Sequence, residues 1–215
     1  MIEYLLGPYG GTIEFSRSMV MFFCLIIFIV YYMFTIKERK SWIDSRGIVV
    51  LFFIFYSLSV ASLTFMPLSI TPRHHLHYFG EMPLWQIAVI STDLLPFRSI
   101  YITLTGSIWW VFTVRAIVGN IILLFPLPFF LGLLSKKEFT FKKAVTIGFL
   151  TSFAIETTQL LLNLLTHFPQ RSVLIDDLIL NTLGVAIGYF VFKKCQNFFE
   201  AVLTAMCKIL TMNRA

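Results

Sequence analysis

Carboxylate and amide side chains recur within two apolar, membrane-length stretches near the C-terminus, where a lipid-facing helix tolerates almost no polar groups. In each stretch the polar and small residues recur at i, i+4, i+7 and i+11, which is one face of an α-helix. On the first stretch, 151–166, they are Ser152, Glu156, Gln159 and Asn163; on the second, 173–192, they are Asp177, Asn181, Gly184 and Gly188. The short connection 167–171 predicts antiparallel helices whose two stripes face each other.

A rise of 1.5 Å per residue, counted inwards from the outer end of each helix, predicts which residues of the two stripes lie level. The predicted pairs are Asn163 with Asp177, Gln159 with Asn181, Glu156 with Gly184, and Ser152 with Gly188. Glycine would leave room for the glutamate opposite it. The glycines also have the GxxxG spacing that allows two helices to pack closely, so a structural role is favoured for them.

Glu156 is the residue whose position most strongly suggests a function. A carboxylate within the membrane costs several kcal/mol unless it is paired or protonated. Arg115 and Asn120, on the preceding apolar stretch, are predicted as its counter-ion and its amide neighbour. Two interpretations stay open at this point: a buried polar cluster that only fixes helix packing, and a functional pocket open to the outer leaflet.

Asp176 and Asp177 stand at the N-terminal end of the last apolar stretch, where acidic residues complement the helix dipole. Neighbouring side chains on a helix point about 100° apart, so the two cannot form one facing catalytic pair. Asp177 is predicted to face the polar stripe, and Asp176 to meet the membrane interface, Arg171 or a bound cation. Glu156 and Asp177 are therefore the candidate catalytic residues, as a base or as a metal ligand.

The remaining candidates bind a ligand or shape the helices. The ligand-binding set is Arg98, Arg115, Asn120, Gln159, Arg171, Asp176 and Asn181, and the structural set is Pro126, Gly184 and Gly188. Three histidines near Glu81 lack an established zinc spacing, so neither a metal nor a cofactor is predicted. The sequence also has no nucleophile-elbow, HExxH or P-loop motif.

The composition is that of a membrane protein. Of 215 residues, 58% are hydrophobic and 13% charged, and the mean hydropathy is +0.83. The net charge of +6 comes from short basic blocks between apolar runs, which is typical of cytoplasmic loops and does not indicate a nucleic-acid partner. Three cysteines give no disulfide framework. Membrane lipids are the expected partners.

The apolar runs predict an all-α, polytopic bundle of five transmembrane helices. Their predicted ranges are 18–36, 48–67 or 48–70, 108–134 (interrupted by prolines), 144–166 and 173–192. Twelve of the seventeen basic residues lie in alternate connections, which places the N-terminus outside and the C-terminus in the cytoplasm. The connection 71–107 is then extracytoplasmic, and the amphipathic tail is predicted to rest on the inner membrane surface, or else to extend the fifth span towards a protein partner.

Four stretches of the sequence resemble the VanZ-like family of small bacterial membrane proteins. They are Asp93-Leu-Leu-Pro-Phe97, Asn120 with Pro126, Glu156-Thr-Thr-Gln159, and Arg171 followed by Ile175-Asp-Asp-Leu-Ile-Leu-Asn181-Thr-Leu-Gly184 and Gly188. Pro128 stands where the family usually has glycine, and Leu174 lies near a position that is usually acidic. The resemblance covers 48–192, the predicted family domain, and leaves 1–47 as an added first span and 193–215 as a tail.

The resemblance implies a bacterial cell-membrane protein, since the founding member is associated with reduced susceptibility to the glycopeptide teicoplanin. One hypothesis is therefore a binder or modifier of a lipid-linked cell-wall precursor or lipoglycopeptide in the outer leaflet, whose anionic groups meet Arg98, Arg115 and Arg171. A second is a membrane enzyme acting on a polyprenyl or glycolipid substrate. A third is a small proton-coupled transporter. The sequence determines neither the substrate nor the oligomeric state.

Overall fold

The computed structural model describes residues 13–16, 45–71, 76–105 and 110–212, together with single positions between 18 and 30. The chain is mainly helical in these ranges. The helices are α1 (Ser45–Phe65), α2 (Leu84–Ser91), α3 (Arg98–Thr105), α4 (Trp110–Leu124), α5 (Leu127–Leu134), α6 (Phe141–Thr166) and α7 (Ile175–Met212). The strands are β1 (Ile13–Phe15), β2 (Leu68–Ile70), β3 (Thr92–Asp93) and β4 (Val173–Leu174), and a 3-10 turn covers His77–Phe79.

Four helical stretches within the described residues are long and apolar enough to cross a membrane: Gly47–Phe65, Ala116–Leu134, Phe141–Thr166 and Ile175–Ala205. The chain is therefore a multi-pass membrane protein of helical architecture. They correspond to the second to fifth predicted spans. The predicted first span, 18–36, lies outside the continuously described residues.

The third predicted span is broken at its prolines, as the sequence indicates. α4 ends at Leu124, and α5 begins at Leu127 after a turn at Phe125 and Pro126. Proline lacks the N–H that would continue the helical hydrogen bonds and its ring collides with the preceding turn. Next to the break, the carbonyl of Leu123 accepts a hydrogen bond of 2.8 Å from the Tyr56 hydroxyl, which fastens α1 to α4.

The predicted amphipathic tail is not a separate helix within the described residues. It is the C-terminal part of α7, which runs without a break from Ile175 to Met212. No glycine or proline follows Gly188 in this stretch, so nothing in the local chemistry stops the helix at the membrane surface. This arrangement corresponds to the alternative interpretation, an extension of the last span.

The predicted extracytoplasmic connection contains regular structure of its own, namely α2, β3 and α3. Its short strand β3 pairs in parallel with β4, with Thr92 opposite Val173 and Asp93 opposite Leu174. A second small sheet pairs β1 with β2 in antiparallel orientation. Strands of two or three residues leave no recognisable pattern in a single sequence. Apart from these strands, the described chain has the predicted all-α fold.

The core lies where α7 packs between α6 and α4. Its buried apolar residues are Leu124, Leu127, Phe139, Ala144, Ile155, Val185, Tyr189 and Phe192. The two GxxxG glycines lie against the backbone of α4 and the turn that follows it: a Cβ on Gly184 would meet the carbonyl oxygen of Ile121, and one on Gly188 that of Phe125. The predicted structural role of these glycines fits this contact, but their partner is α4 rather than α6.

Candidate functional site

The polar stripes of α6 and α7 do face each other, but two helical turns away from the predicted register. Asn181 donates a hydrogen bond of 3.0 Å from its amide nitrogen to the Ser152 hydroxyl, and a Cβ on Gly148 would meet Val185. One turn further out, Asp177 lies close enough to Glu156 to act on it electrostatically. The residue level with Glu156 is thus Asp177 and not Gly184, so the predicted pairs of residues are wrong.

The register differs because the connection 167–174 folds back along α6. The side chain of Asn163 donates to the Arg171 carbonyl (2.6 Å) and accepts from the Arg171 amide (3.1 Å). The amide of Leu174 then donates to Glu156 Oε2 over 3.2 Å. α7 therefore begins about 15 Å below the end of α6, because ten residues separate Glu156 from Thr166.

Glu156, Asp177 and Asn120 form the centre of the candidate site. Glu156 is buried, with 8% of its surface exposed, and it comes from the middle of α6. Asp177 lies on the first turn of α7 and accepts a hydrogen bond of 2.5 Å from the Asn120 side chain on α4. Three helices thus place two carboxylates and an amide together within the membrane-spanning region. Asn120 is predicted as the amide neighbour of Glu156. In the structure its side chain is hydrogen-bonded to Asp177, in the same cluster as Glu156.

Asp176 points away from this centre and holds the N-terminus of α3. Its carboxylate accepts hydrogen bonds from the backbone amides of Phe97 (2.5 Å), Ser99 (3.1 Å) and Ile100 (3.3 Å), and from the Ser99 hydroxyl. A carboxylate at this place satisfies backbone donors that the first helical turn leaves free. Asp176 is predicted to contact the membrane interface, Arg171 or a cation. Instead it is buried, with 2% of its surface exposed, and its carboxylate caps the N-terminus of α3.

Three of the predicted ligand-binding residues bond to other parts of the described chain and not to Glu156 or Asp177. Gln159 donates to the Thr64 carbonyl of α1 over 2.9 Å, and Arg171 donates to the Met66 carbonyl over 2.5 Å. Arg98 forms a 3.4 Å salt bridge with Asp93 and remains half exposed. These contacts fasten the connections to the helices. Arg115 lies on α4, but its side chain, and so its predicted ion pair with Glu156, is outside the described part of the structure.

Two residues outside the predicted set, Gln170 and His167, help to position the site from a distance. Gln170 binds both backbone groups of Ser69, with bonds of 2.8 and 2.7 Å. His167 ends α6 in a left-handed conformation (φ 56°) and its Nε2 lies 2.7 Å from the Met82 carbonyl. The position of His167 two residues before Pro169 does indicate a helix end, whereas the contacts of Gln170 leave no trace in a single sequence.

The site supplies hydrogen-bond acceptors and a carboxylate that can act as a base. The described residues contain no group of three or more histidine, cysteine or acidic side chains that could hold a metal ion. Among the side chains that the structure describes, no cation forms an ion pair with Glu156 or Asp177. The arrangement can therefore accept hydrogen bonds from hydroxyl or ammonium groups.

The Asn181–Ser152 hydrogen bond should contribute little to stability. Asn181 is 1% exposed and its carbonyl oxygen has no partner among the described residues, so Asn181→Leu removes a hydrogen bond and also an unsatisfied buried acceptor. We expect a coupling of about 0.6 kcal/mol between Ser152→Ala and Asn181→Leu, the average for membrane helices. Unfolding of the two single variants and the double variant in detergent would measure it. A coupling of several kcal/mol would show that this contact holds the helices together.

Most of the chain resembles a known protein family. Residues 52–199 match the family model described as VanZ/LLP1. The search of curated proteins gave no match, and neither did the search of solved structures. The matched range contains α2 to α6, α1 from Phe52 onwards, and α7 as far as Phe199, so it includes Glu156, Asp177 and Asn120. This chain belongs to the VanZ/LLP1 family.

Proposed function

We propose that this protein is a bacterial cell-envelope protein that binds a lipid-linked ligand at Glu156, Asp177 and Asn120 and thereby lowers susceptibility to teicoplanin. The observation that carries the proposal is the convergence of two carboxylates and an amide from three membrane-spanning helices. A carboxylate pair without a described counter-ion is costly within a membrane. A ligand that donates hydrogen bonds to it would offset that cost.

The chemistry of the site restricts the part of the ligand that reaches it. Carboxylates accept hydrogen bonds and repel anions, so the group at Glu156 and Asp177 is a sugar hydroxyl or an amine and not a phosphate. Of the three arginines proposed to bind anionic groups, Arg98 pairs with Asp93 in a 3.4 Å salt bridge that accounts for its charge. Arg171 is already bonded to the chain and fits a structural role better.

An apolar groove beside the site suits the hydrocarbon part of such a ligand. It has a volume of about 700 Å³ and lies between α1 and α4. Tyr56, Val60 and Leu63 line one wall, and Val118 and Gly119 the other. Gly119 directly precedes Asn120, so the groove and the polar centre share one turn of α4. A lipid with a long chain and a hydroxyl-bearing head could occupy both.

The proposal includes five spans, an external N-terminus and a cytoplasmic C-terminus. Basic residues support this orientation: Lys136, Lys137, Lys142 and Lys143 lie in or beside the α5–α6 connection, and Lys193 and Lys194 lie on α7 at the same end of the bundle. Such clusters are typical of the cytoplasmic side. Glu156 and Asp177 then belong to the half of the membrane that faces the cell wall, where a glycopeptide acts.

Conservative removal of either carboxyl group should abolish the phenotype. We expect Glu156→Gln and Asp177→Asn, produced in a susceptible Gram-positive host, to lose the increase in the inhibitory concentration of teicoplanin that the unchanged protein confers. Each amide keeps the size of the side chain and removes its negative charge and basicity. The inhibitory concentration, normalised to the amount of protein in the membrane, measures the effect.

Glu138→Gln is the matched control, since Glu138 is an exposed carboxylate in the α5–α6 connection, and it should retain full activity. If Glu156→Gln and Asp177→Asn both keep full activity at normal abundance, the cluster is only structural and the proposal fails. Mass spectrometry of the purified proteins provides a second readout, because a lipid that copurifies with the unchanged protein should be absent from Asp177→Asn.

A further inference from the structure

We infer that residues 84–105 form a re-entrant hairpin, which enters the hydrocarbon core from the Thr166 end of α6 and presents its apolar side chains to lipid acyl chains. The hairpin consists of α2, β3, the turn 94–97 and α3. This inference does not depend on the proposed function. It concerns an interaction surface whose partner is the interior of the bilayer itself.

Two contacts fix the depth of the descending arm. At its start, the carbonyl of Met82 lies 2.7 Å from Nε2 of His167, the residue that ends α6. At its end, Asp93 pairs with Leu174, whose amide donates to Glu156. Glu156 lies about 15 Å below Thr166 along the helix. The eight residues of α2 rise about 12 Å, which matches a helix running down beside α6.

The position of α6 places the turn within the hydrocarbon. α6 has 26 residues and is about 39 Å long, whereas the hydrocarbon core is about 30 Å thick. If the core begins at Ala144, next to the basic Lys142 and Lys143, it ends about twenty residues later, near Leu164. Glu156 and the strand pair beside it are then about 12 Å inside.

The surface of the hairpin is mainly apolar, and its charged residues Asp93 and Arg98 pair with each other in a 3.4 Å salt bridge. Most of its large apolar side chains are exposed, and eight of them by 53–69%, among them Trp85, Val89, Leu94, Leu95, Phe97 and Tyr101, whereas Ile87 is buried. In water, such a patch would be a strong liability. Apolar side chains of the neighbouring span α6, such as Phe153 and Leu161, are likewise exposed, so acyl chains would cover both elements.

Several backbone amides of the turn and of the start of α3 donate to carboxylates of the protein, as irregular structure at membrane depth requires. The amide of Leu95 donates to Asp93 Oδ1 over 3.1 Å. The amides of Phe97, Ser99 and Ile100 donate to the carboxylate of Asp176. A loop above the membrane could leave these groups to water. Where water is absent, the buried carboxylate of Asp176 accepts the hydrogen bonds that water would otherwise accept.

Spin labels on single cysteines would test the depth of the hairpin in liposomes. The background variant replaces Cys24, Cys195 and Cys207 by serine, and labels are placed at Leu95→Cys or, as a second position, Leu94→Cys. Both side chains are exposed, so substitution removes little packing. Thr157→Cys, an exposed position one residue from Glu156, serves as the membrane control, and Glu138→Cys as the aqueous control.

We expect the label at Leu95 to collide readily with oxygen and poorly with a water-soluble nickel chelate, at a depth within about 5 Å of the Thr157 label. The label at Glu138 should show the reverse preference. If the labels at Leu94 and Leu95 collide with the nickel chelate as often as the Glu138 label does, the segment lies in water and the inference is wrong.

Discussion

Asp176→Ala should be among the most destabilising single substitutions in this protein, with an expected loss of about 3–5 kcal/mol in the free energy of unfolding. The carboxylate of Asp176 accepts from three backbone amides and from the Ser99 hydroxyl. Alanine leaves all of these donors without a partner in a site that is 2% exposed. Each unsatisfied buried donor costs about 1–3 kcal/mol, which partial relaxation of the turn would reduce.

Thermal or denaturant unfolding of the purified protein in detergent would measure the loss. Ser99→Ala is the matched control, because it removes one donor from the same carboxylate and leaves the three backbone bonds intact; we expect about 1 kcal/mol for it. Asp176→Asn should fall between the two, since its amide retains one acceptor oxygen. Equal stability of Asp176→Ala and the unchanged protein would mean that α3 does not depend on this cap.

Gly184→Val should destabilise the bundle by about 2–3 kcal/mol and also disturb the candidate site. A Cβ at this position would overlap the carbonyl oxygen of Ile121. Backbone atoms cannot rotate away as a flexible side chain can, so α4 and α7 would have to separate. The hydrogen bond of 2.5 Å between Asn120 and Asp177 joins the same two helices, and it should lengthen or break with them.

Gly119→Ala supplies the control for Gly184, because a Cβ on Gly119 would meet nothing within 4 Å. Both glycines lie in membrane helices, and only their surroundings differ. In the absence of a clash, alanine favours a helix over glycine by about 1 kcal/mol, so Gly119→Ala should be neutral or stabilising. The unfolding midpoints of both variants test the comparison. If Gly184→Val were as stable as Gly119→Ala, the close approach of α4 and α7 would be refuted.

Local chemistry determined much of the fold. The four apolar helices follow from runs of about 20 residues that must pair their backbone groups internally in a membrane. The break at Pro126 follows from a missing N–H. The polar face shared by Glu156 and Asn181 follows from the period of the α-helix. The VanZ-like resemblance, carried by the motifs around Asn120, Glu156 and Asp177, agrees with the family match over 52–199.

The sequence could not determine the register of α6 against α7, which only the tertiary structure decided. A shift of seven residues, about two turns, leaves the same faces in contact, so the stripes alone fit Glu156 opposite Gly184 or opposite Asp177 equally well. The choice depends on the connection 167–174, which Asn163 folds back along its own helix through two bonds to Arg171. Such contacts depend on the path of the chain in space, and neither periodicity nor composition encodes that path. The same reason explains why Asp176 caps α3, 76 to 79 residues earlier in the chain, instead of meeting the ligand that its place beside Asp177 suggested.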